Sequence, residues 1–347
     1  MLCRSGAGGA PGGLLGFDRA PPRPEGGVKV LVAGAAGALG SPVVRQLLRN
    51  GHQVTGTTRS MDRRAFLQHL GAGAVIVDVF DAPALDRVVA EAAPEVIIDL
   101  LTALPKPGPL RARELEATNR IRTEGSGNLL AAALAHGVKR YVAESFLLIY
   151  GTGRLGSEPL TEDLEVPVGQ PAAATLPAIE AIATKEKSVL AAARAGRIEG
   201  IVLRFAGFYG PGAGTEELIA QLRKRRVPVA AGATGVTPWV QIEDAAAAVV
   251  AAVERGRSGS IYNVAEDESL ALGDFLRSLA KAARAPAPLT VPPFLVGLIA
   301  PYLKTIMLDS EIRLSNARAK SELGWTPRYR SPLEGLPPTV AELGHPA

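Results

Sequence analysis

Three glycines near the start of the chain have the spacing of a loop that binds a dinucleotide. They follow a β-branched run directly and precede a helical pattern. In such a loop the first glycine allows a tight turn, the second lets the backbone approach a pyrophosphate, and the third allows close packing of helix on strand. The positive end of the helix then faces the phosphates. The residues predicted to contact the dinucleotide are Gly34, Ala36, Gly37, Ala38, Leu39 and Gly40.

The end of the second predicted strand indicates which dinucleotide is bound. An acidic residue there would bind the 2′-hydroxyl of the adenosine ribose and repel a 2′-phosphate. The chain has no acid at this point and continues with Thr58 and Arg59. The guanidinium of Arg59 can pair with a 2′-phosphate, helped by the Thr58 hydroxyl and by Arg63 or Arg64. The pattern favours NADP(H) over NAD(H), although a solvated arginine on a loop would give the same sequence.

Residues at the ends of the third and fourth strands are predicted to contact the same ligand. Asp78 is placed to contact the adenine, or else it caps the turn that leads to Pro83. Thr102 could bond to the nicotinamide ribose or to a substrate. Their neighbours Val79 and Leu101 complete this set.

A repeated alternation of strands and helices positions these residues. Short β-branched runs alternate with alanine-rich stretches from Val28 onward, which is the pattern of βαβ units and a parallel sheet. Strands are predicted at 28–33, 53–58, 74–78, 96–100, 140–144 and 200–204, and helices at 39–50, 63–70, 84–92, 113–136 and 178–195. Strands joined by such crossovers predict an α/β fold with a doubly wound, Rossmann-type parallel sheet.

The two ends of the chain have a different organisation. Residues 1–27 are rich in Gly and Pro and are predicted to be a disordered leader. Beyond Arg204 the regular alternation of strands and helices ends. It is followed by Gly-rich and Pro-rich turns, short strand candidates at 239–241 and 260–264, and several helices. The predicted units are a Rossmann domain at 28–205 with return segments at about 236–265, and a smaller substrate-binding lobe at 206–235 and 266–347.

Composition argues against several classes of protein. A net charge of +4 is too small to indicate a nucleic acid partner. The single cysteine, Cys3, excludes an intrachain disulfide, and four histidines without metal-ligand spacing support no metal site. Prolines and Lys304 interrupt the apolar segment 291–308, so that it is too short to span a membrane. We expect a cytoplasmic protein that acts on a small molecule.

Further motifs resemble the extended short-chain dehydrogenase/reductase superfamily, often called the NAD-dependent epimerase/dehydratase family. The resemblance extends from Val28 to about Leu336. Its segments are 34–40, 122–133, 137–141, 150–151, 203–212, 239–246 and 316–325. It implies an NAD(P)-dependent enzyme with a small-molecule substrate, and a homodimer formed through the helices at 113–136 and 178–195.

The resemblance breaks at the residues that transfer protons. Enzymes of this type use a Ser or Thr after the fifth strand to polarise the substrate, and a Tyr four residues before a Lys to exchange the proton. Here Lys185 is preceded at that spacing by Ala181. Phe146 stands near the position of the Ser, with Ser145 one residue earlier. The usual proton donor is therefore absent.

Three residues are candidates to take over the missing chemistry. Tyr150 follows the fifth strand at the predicted lip of the sheet, where its phenol could donate or accept a proton. Ser145 could reach the nicotinamide or a substrate carbonyl, or else be a core serine satisfied by the backbone. Lys185 could hold the ribose hydroxyls, although the charged residues Glu186 and Lys187 beside it favour a solvated helix face.

The leading hypothesis is an NADP(H)-dependent oxidoreductase of atypical site chemistry that acts on a small carbonyl or hydroxyl compound. Its pocket would include Phe146, Phe208 and Tyr209, although Tyr209 could instead be a packing aromatic. One alternative is an epimerase or dehydratase acting on a nucleotide-sugar-like molecule, which tightly retained cofactor would favour. The other is a non-catalytic NADP-binding regulatory protein, which binding without turnover would support.

Overall fold

Seven parallel strands form the central sheet of the protein, in a computed structural model that describes residues 27–106, 108–232 and 235–344. The strands of the described ranges, inside and outside this sheet, are β1 Lys29–Ala33, β2 Gln53–Thr58, β3 Gly73–Ile76, β4 Val96–Asp99, β5 Arg140–Phe146, β6 Glu199–Phe205, β7 Gly207–Tyr209, β8 Val229–Ala230, β9 Val236–Thr237, β10 Trp239–Gln241, β11 Ile261–Val264, β12 Leu270–Ala271 and β13 Thr290–Val291. The main sheet has the order β11-β6-β5-β4-β1-β2-β3. The order reverses beside β1, and ligands of open α/β sheets bind at such a reversal, beyond the carboxyl ends of the strands.

Helices cover both faces of this sheet. They are α1 Gly40–Arg49, α2 Met61–His69, α3 Ala82–Ala92, α4 Glu116–Arg120, α5 Ser126–Ala135, α6 Leu176–Arg194, α7 Thr215–Arg223, α8 Ile242–Arg255, α9 Leu272–Ala282, α10 Pro293–Ile299, α11 Pro301–Leu303, α12 Ala317–Leu323 and α13 Pro332–Gly344. Helices α1 and α8 pack together on one face, and α3 packs on α5 on the other. None of the helices in the described ranges has both the length and the apolar character needed to cross a bilayer.

Alternate residues of each central strand enter two different apolar clusters. In β1, Val30 and Val32 belong to the cluster under α1 and α8, whereas Leu31 and Ala33 belong to the cluster under α3 and α5. Successive side chains of a strand point to opposite faces. A strand that is buried on both faces therefore needs an unbroken apolar run, which is the pattern of parallel sheets.

The predicted fold is confirmed, with differences at the ends of strands. Strand β5 runs on to Phe146, and β3 ends at Ile76, two residues before Asp78. The strand candidate at 260–264 belongs to the main sheet, because β11 pairs with β6 in parallel and Tyr262 is in register with Leu203. Its four residues were too few for periodicity to show this pairing.

The helix predicted at 113–136 is not regular. A 3-10 turn at Ala112–Leu115 leads into α4, and a π turn at Ile121–Gly125 separates α4 from α5. At the end of the π turn, a Cβ added to Gly125 would lie 2.7 Å from Cγ2 of Val79. The glycine therefore allows a close approach that a larger residue would prevent. Arg122, inside the π turn, is buried with 4% exposure.

The remaining strands form short pairs beside the main sheet. Strand β10 pairs with β7 and β13 with β8, both in parallel, and β12 pairs with β9 in antiparallel orientation. Together with α7, α9 and α13 they enclose a third apolar cluster. This region falls largely in the segments predicted to form the substrate-binding lobe. Residues 1–26 of the predicted leader lie outside the described residues.

Candidate active site at the carboxyl edge of the sheet

The glycine turn between β1 and α1 has the geometry of an anion-binding loop. Gly34 has a φ of +82°, which strains any residue with a Cβ. A Cβ on Gly40 would lie 2.1 Å from the carbonyl oxygen of Gly34, so only glycine fits there. The N–H of Gly37 donates to the same oxygen at 2.9 Å and closes the turn.

Helix α1 begins without a side-chain cap. Its N-cap, Leu39, provides no side-chain hydrogen bond, and the first turn contains no acid. The N–H of Ser41 already donates to the Gly37 carbonyl at 3.1 Å, and the helix dipole favours an anion at this end. Ala36 and Leu39 are buried, whereas Gly37 is exposed and Ala38 is half-buried. The turn therefore fits the pyrophosphate of a dinucleotide.

Two arginines follow β2 in the chain, and one of them contacts the glycine turn. Arg59 is exposed. Arg63 reaches back from α2 and donates to the carbonyl of Ala36 in the glycine turn. Its backbone N–H donates to Ser60 Oγ at 3.2 Å, which caps α2, and the N–H of Ser60 donates to Thr58 Oγ1 at 3.3 Å. This capped turn holds Arg63 close to the turn that the adenosine end of a dinucleotide would approach.

The other predicted cofactor contacts also lie at the carboxyl edge. Asp78 is exposed and accepts from the N–H of Phe80 at 3.0 Å, so that it caps a turn as the alternative interpretation held. Val79 is buried, Leu101 is half-buried and Thr102 is exposed just beyond β4. Their contacts with a cofactor stay predictions.

Lys185 lies inside the protein, in a cluster of charged side chains. Its Nζ is 3.2 Å from Oδ2 of Asp99 and 3.3 Å from Oε2 of Glu144. Arg122 donates from Nη2 to Glu144 Oε1 at 2.7 Å, and the Tyr141 hydroxyl donates to Asp99 Oδ2 at 2.9 Å. The solvated helix face predicted for Lys185 is wrong, because two buried carboxylates balance its charge.

This charge balance changes what Lys185 can do. Burial opposes the ionisation of Glu144, but Arg122 and Lys185 together hold the pKa of this carboxyl below its ordinary value. Burial, and then the charge of Asp99, raise the pKa of Tyr141 well above its ordinary value. The ammonium of Lys185 is thus committed to two internal partners. Ala181, one helical turn earlier, has no group that the ammonium could activate.

Ser145 and Tyr150 belong to a second buried network. Ser145 donates from Oγ to Glu186 Oε1 at 2.5 Å, and Arg204 donates to both oxygens of Glu186 at 2.9 and 2.7 Å. The Arg204 guanidinium lies 4.9 Å from the centroid of the Tyr150 ring. The Tyr150 hydroxyl donates to Asn263 Oδ1 at 2.8 Å.

These contacts correct two expectations. Tyr150 does not lie at an open lip of the sheet: its exposure is 0%, and burial raises the pKa of its phenol. Ser145 is a core serine, although a Glu186 carboxylate rather than the backbone satisfies it. As proton donors both residues stay predictions, and this arrangement does not favour them.

Phenylalanine side chains occupy the carboxyl edge where the polar residues were expected. Phe146 ends β5 in register with Phe205 of β6, and the Phe205 ring centroid is 5.4 Å from that of Phe208. Phe146 and Phe208 are half-buried. Tyr209 is fully buried and donates to Glu266 Oε1 at 2.6 Å, so its expected place in the pocket is wrong. Phe208 and Tyr209 differ in this way because successive residues of a strand point to opposite sides.

Sequence reasoning missed the partners of these networks. Asp99 and Glu144 lie in otherwise apolar strand runs, and charged residues are almost never fully buried without a partner. The position of these two acids within buried strands was the signal that a buried charged partner exists. It did not identify Arg122, Arg204 or Asn263, which come from distant parts of the chain.

Comparison with known proteins identifies the family. The model of the NAD-dependent epimerase/dehydratase family matches residues 30–265. The chain belongs to this family. A 3-diazoavenalumate denitrifying reductase from a Streptomyces species is 32% identical over 312 residues, which are 89% of this chain and 99% of the relative. A UDP-glucose 4-epimerase from Mycolicibacterium smegmatis is 27% identical over 328 residues, which are 90% of this chain and 97% of the relative.

Solved structures of similar proteins share the fold. A UDP-glucose 4-epimerase of Thermotoga maritima with UDP-glucose superposes with a TM-score of 0.75 at 22% identity, covering 91% of this chain and 98% of that one. A dTDP-glucose 4,6-dehydratase of Bacillus anthracis in complex with NAD gives a TM-score of 0.71 at 19% identity, covering 91% and 96%. The relatives include reductases, epimerases and dehydratases, and the prediction of an NAD(P)-dependent enzyme is confirmed.

Proposed function

We propose that this protein is an NADP(H)-dependent reductase whose substrate needs no proton from a side chain at the reacting centre. The observation that carries the proposal is the replacement of the proton-transfer residues. Phe146 and Ala181 stand where a hydroxyl and a phenol would act. Lys185, which would activate the phenol, is paired with Asp99 and Glu144 instead.

The chain retains the residues that would hold the cofactor. The glycine turn and the positive end of the α1 dipole would bind the pyrophosphate, and Arg59 and Arg63 would pair with a 2′-phosphate. This pair of guanidinium groups supports NADP(H) over NAD(H). When bound, the dinucleotide would supply a hydride.

A diazo compound is the substrate class that suits such a site. The Streptomyces relative that matches over almost its whole length is named for reductive denitrification of a diazo compound. In an aryl diazonium substrate, a C–H bond forms from the hydride electron pair while the C–N bond breaks, and its electron pair leaves with N2. No oxyanion develops that a tyrosine would have to protonate. The missing phenol is then no obstacle to the reaction.

Epimerase or dehydratase chemistry is less compatible with this edge of the sheet. Both reactions need groups that move protons on and off a sugar. The hydroxyls of Ser145 and Tyr150 are tied to Glu186 and Asn263 in the interior. The buried networks therefore favour the reductase.

The test offers NADPH with an aryl diazonium acid, an aromatic aldehyde and UDP-glucose in parallel. We expect NADPH consumption matched by N2 release with the diazonium acid only, and a Ser145→Ala variant that keeps most of the rate. A Gly40→Ala variant measures any reaction that does not need the dinucleotide site. Reduction of the aldehyde alone, or conversion of UDP-glucose without net NADPH consumption, would contradict the proposal.

A further inference from the structure

Three phenylalanines lie at the ends of β5 and β6 and within β7. We call Phe146, Phe205 and Phe208 the phenylalanine wall. Phe205 is fully buried and lies beside Phe146 in the strand register. It supports Phe208 through a tilted ring contact with an interplanar angle of 59°. Phe146 and Phe208 keep part of their surface accessible.

We propose that the phenylalanine wall binds the substrate and selects a planar aromatic or conjugated molecule over a sugar. The inference rests on the proposed function, since it places the ring of the hydride acceptor at the carboxyl edge of the sheet. Aromatic rings attract one another in offset or edge-to-face arrangements with centroids 4.5–7 Å apart, and the Phe205 to Phe208 distance of 5.4 Å lies in this range. A ring placed on Phe146 and Phe208 would extend the same packing.

The wall is unsuited to a sugar for the opposite reason. A sugar presents hydroxyls that need hydrogen-bond partners when they leave water, and an unmade hydrogen bond costs binding energy. Phe146, Phe205 and Phe208 have no side-chain donor or acceptor, and neither does Ala181. The nearest side-chain hydroxyl in the strand, that of Ser145, already donates to a buried carboxylate. A flat apolar ring makes no such demands.

The test is a calorimetric titration of the protein saturated with NADP+. The probes are trans-4-hydroxycinnamate, the saturated analogue 3-(4-hydroxycyclohexyl)propanoate, and UDP-glucose. We expect hydroxycinnamate to bind about three- to tenfold more tightly than its saturated analogue. Phe146→Leu and Phe208→Leu should each remove most of this preference and leave NADP+ affinity unchanged.

Two further variants separate packing from fold. Phe146→Tyr keeps an aromatic face and should keep the preference. Phe66→Leu changes an exposed phenylalanine on α2 and should have no effect. Equal affinity for the two acids, or an unchanged preference in both wall variants, would overturn the inference.

The outcomes also distinguish this inference from the proposed function. Failure of NADP+ to bind would contradict the proposed function itself. Normal NADP+ binding without any binding of hydroxycinnamate would overturn only the inference about the wall. UDP-glucose binding more tightly than hydroxycinnamate would overturn the inference and indicate a sugar substrate.

Discussion

The two halves of the carboxyl edge differ in how closely they follow the pattern that the family resemblance implies. At the β1 to α1 turn, Gly34 and Gly40 occupy positions where a Cβ would collide with backbone. Around β5 and α6, Lys185 remains in place but faces Asp99 and Glu144, and its expected phenol partner is an alanine. We call the β1 to α1 turn the binding half and the region around β5 and α6 the proton-transfer half. The binding half keeps the family pattern, whereas the charged residues of the proton-transfer half form internal ion pairs.

This difference is the basis of the proposed function. Binding and orientation of a dinucleotide depend on backbone geometry and on arginines at the surface. Proton transfer depends on a titratable group placed at the reacting atom. A chain that keeps the first and loses the second is suited to hydride transfer without side-chain protonation.

The comparison is tested most strongly by removing the buried ammonium. Lys185→Met would leave two buried carboxylates short of a cation, and we expect the free energy of unfolding to fall by about 3–5 kcal/mol. Denaturant titration measures the loss. Lys187→Met, an exposed position on the same helix, should change stability by less than about 0.5 kcal/mol.

A double variant checks the cause of this loss. Lys185→Met combined with Glu144→Gln restores the charge balance and should recover part of the stability. A Lys185→Met protein that is fully stable but binds the dinucleotide poorly would break the comparison, because Lys185 would then belong to the binding half.

The binding half is tested at its tightest contact. In Gly40→Ala the new Cβ would lie 2.1 Å from the Gly34 carbonyl oxygen, so the turn or α1 must move. We expect NADPH affinity, measured by nicotinamide fluorescence, to fall at least about a hundredfold. Gly127→Ala is the control, since its Cβ meets nothing within 4 Å. Affinity within about threefold of the original in Gly40→Ala would show that the turn does not hold the pyrophosphate.

The buried acid Glu266 should affect the fold and not the hydride transfer. Burial is the main cause that raises the pKa of Glu266 from its ordinary value of 4.5 to about 8. The folded protein therefore holds this proton more tightly than the unfolded chain. The resulting stability is complete below pH 4.5 and is lost as the pH rises to about 8.

The measurement compares denaturant unfolding of the original protein and Glu266→Gln across this pH range. Between pH 5 and 7 the original protein should lose about 2–3 kcal/mol more than the variant. Identical pH dependence of the two proteins would contradict the assignment. The rate of hydride transfer should depend on pH only through the fraction of folded protein. It should show no additional dependence on the ionisation of Glu266.

The smallest expected effect concerns the choice of dinucleotide. Arg59→Ala and Arg63→Ala should each weaken NADPH binding about tenfold, a loss of about 1.4 kcal/mol, and leave NADH binding nearly unchanged. Arg87→Ala, at an exposed arginine on α3, serves as the control. Equal losses for NADPH and NADH would show that the arginines do not contact a 2′-phosphate.

The sequence was most informative where local pattern determines structure. Strand β2 and strand β10 have the predicted bounds, because β-branched runs between turn residues identify strands locally. The glycine turn was equally readable, since its spacing reflects contacts within seven residues. For these features neighbouring residues supply most of the signal.

The charged networks could not be read in this way. Lys185 meets Asp99 and Glu144, which are 86 and 41 residues away along the chain. Its charged neighbours in α6 suggested a solvated face, and only the tertiary arrangement turns it inward. The π turn that buries Arg122 also has no local signature, because Gly125 and Val79 approach each other only in the folded protein.

The most direct test of the central claim follows the reducing hydrogen. NADPH with deuterium at both C4 positions is incubated with an aryl diazonium acid and the original protein, and in parallel with Ser145→Ala. The account predicts deuterium on the ring carbon that carried nitrogen, N2 release in equal amount, and the same result in the variant. Hydrogen from solvent at that carbon, or transfer abolished by Ser145→Ala, would contradict reduction without a side-chain proton donor.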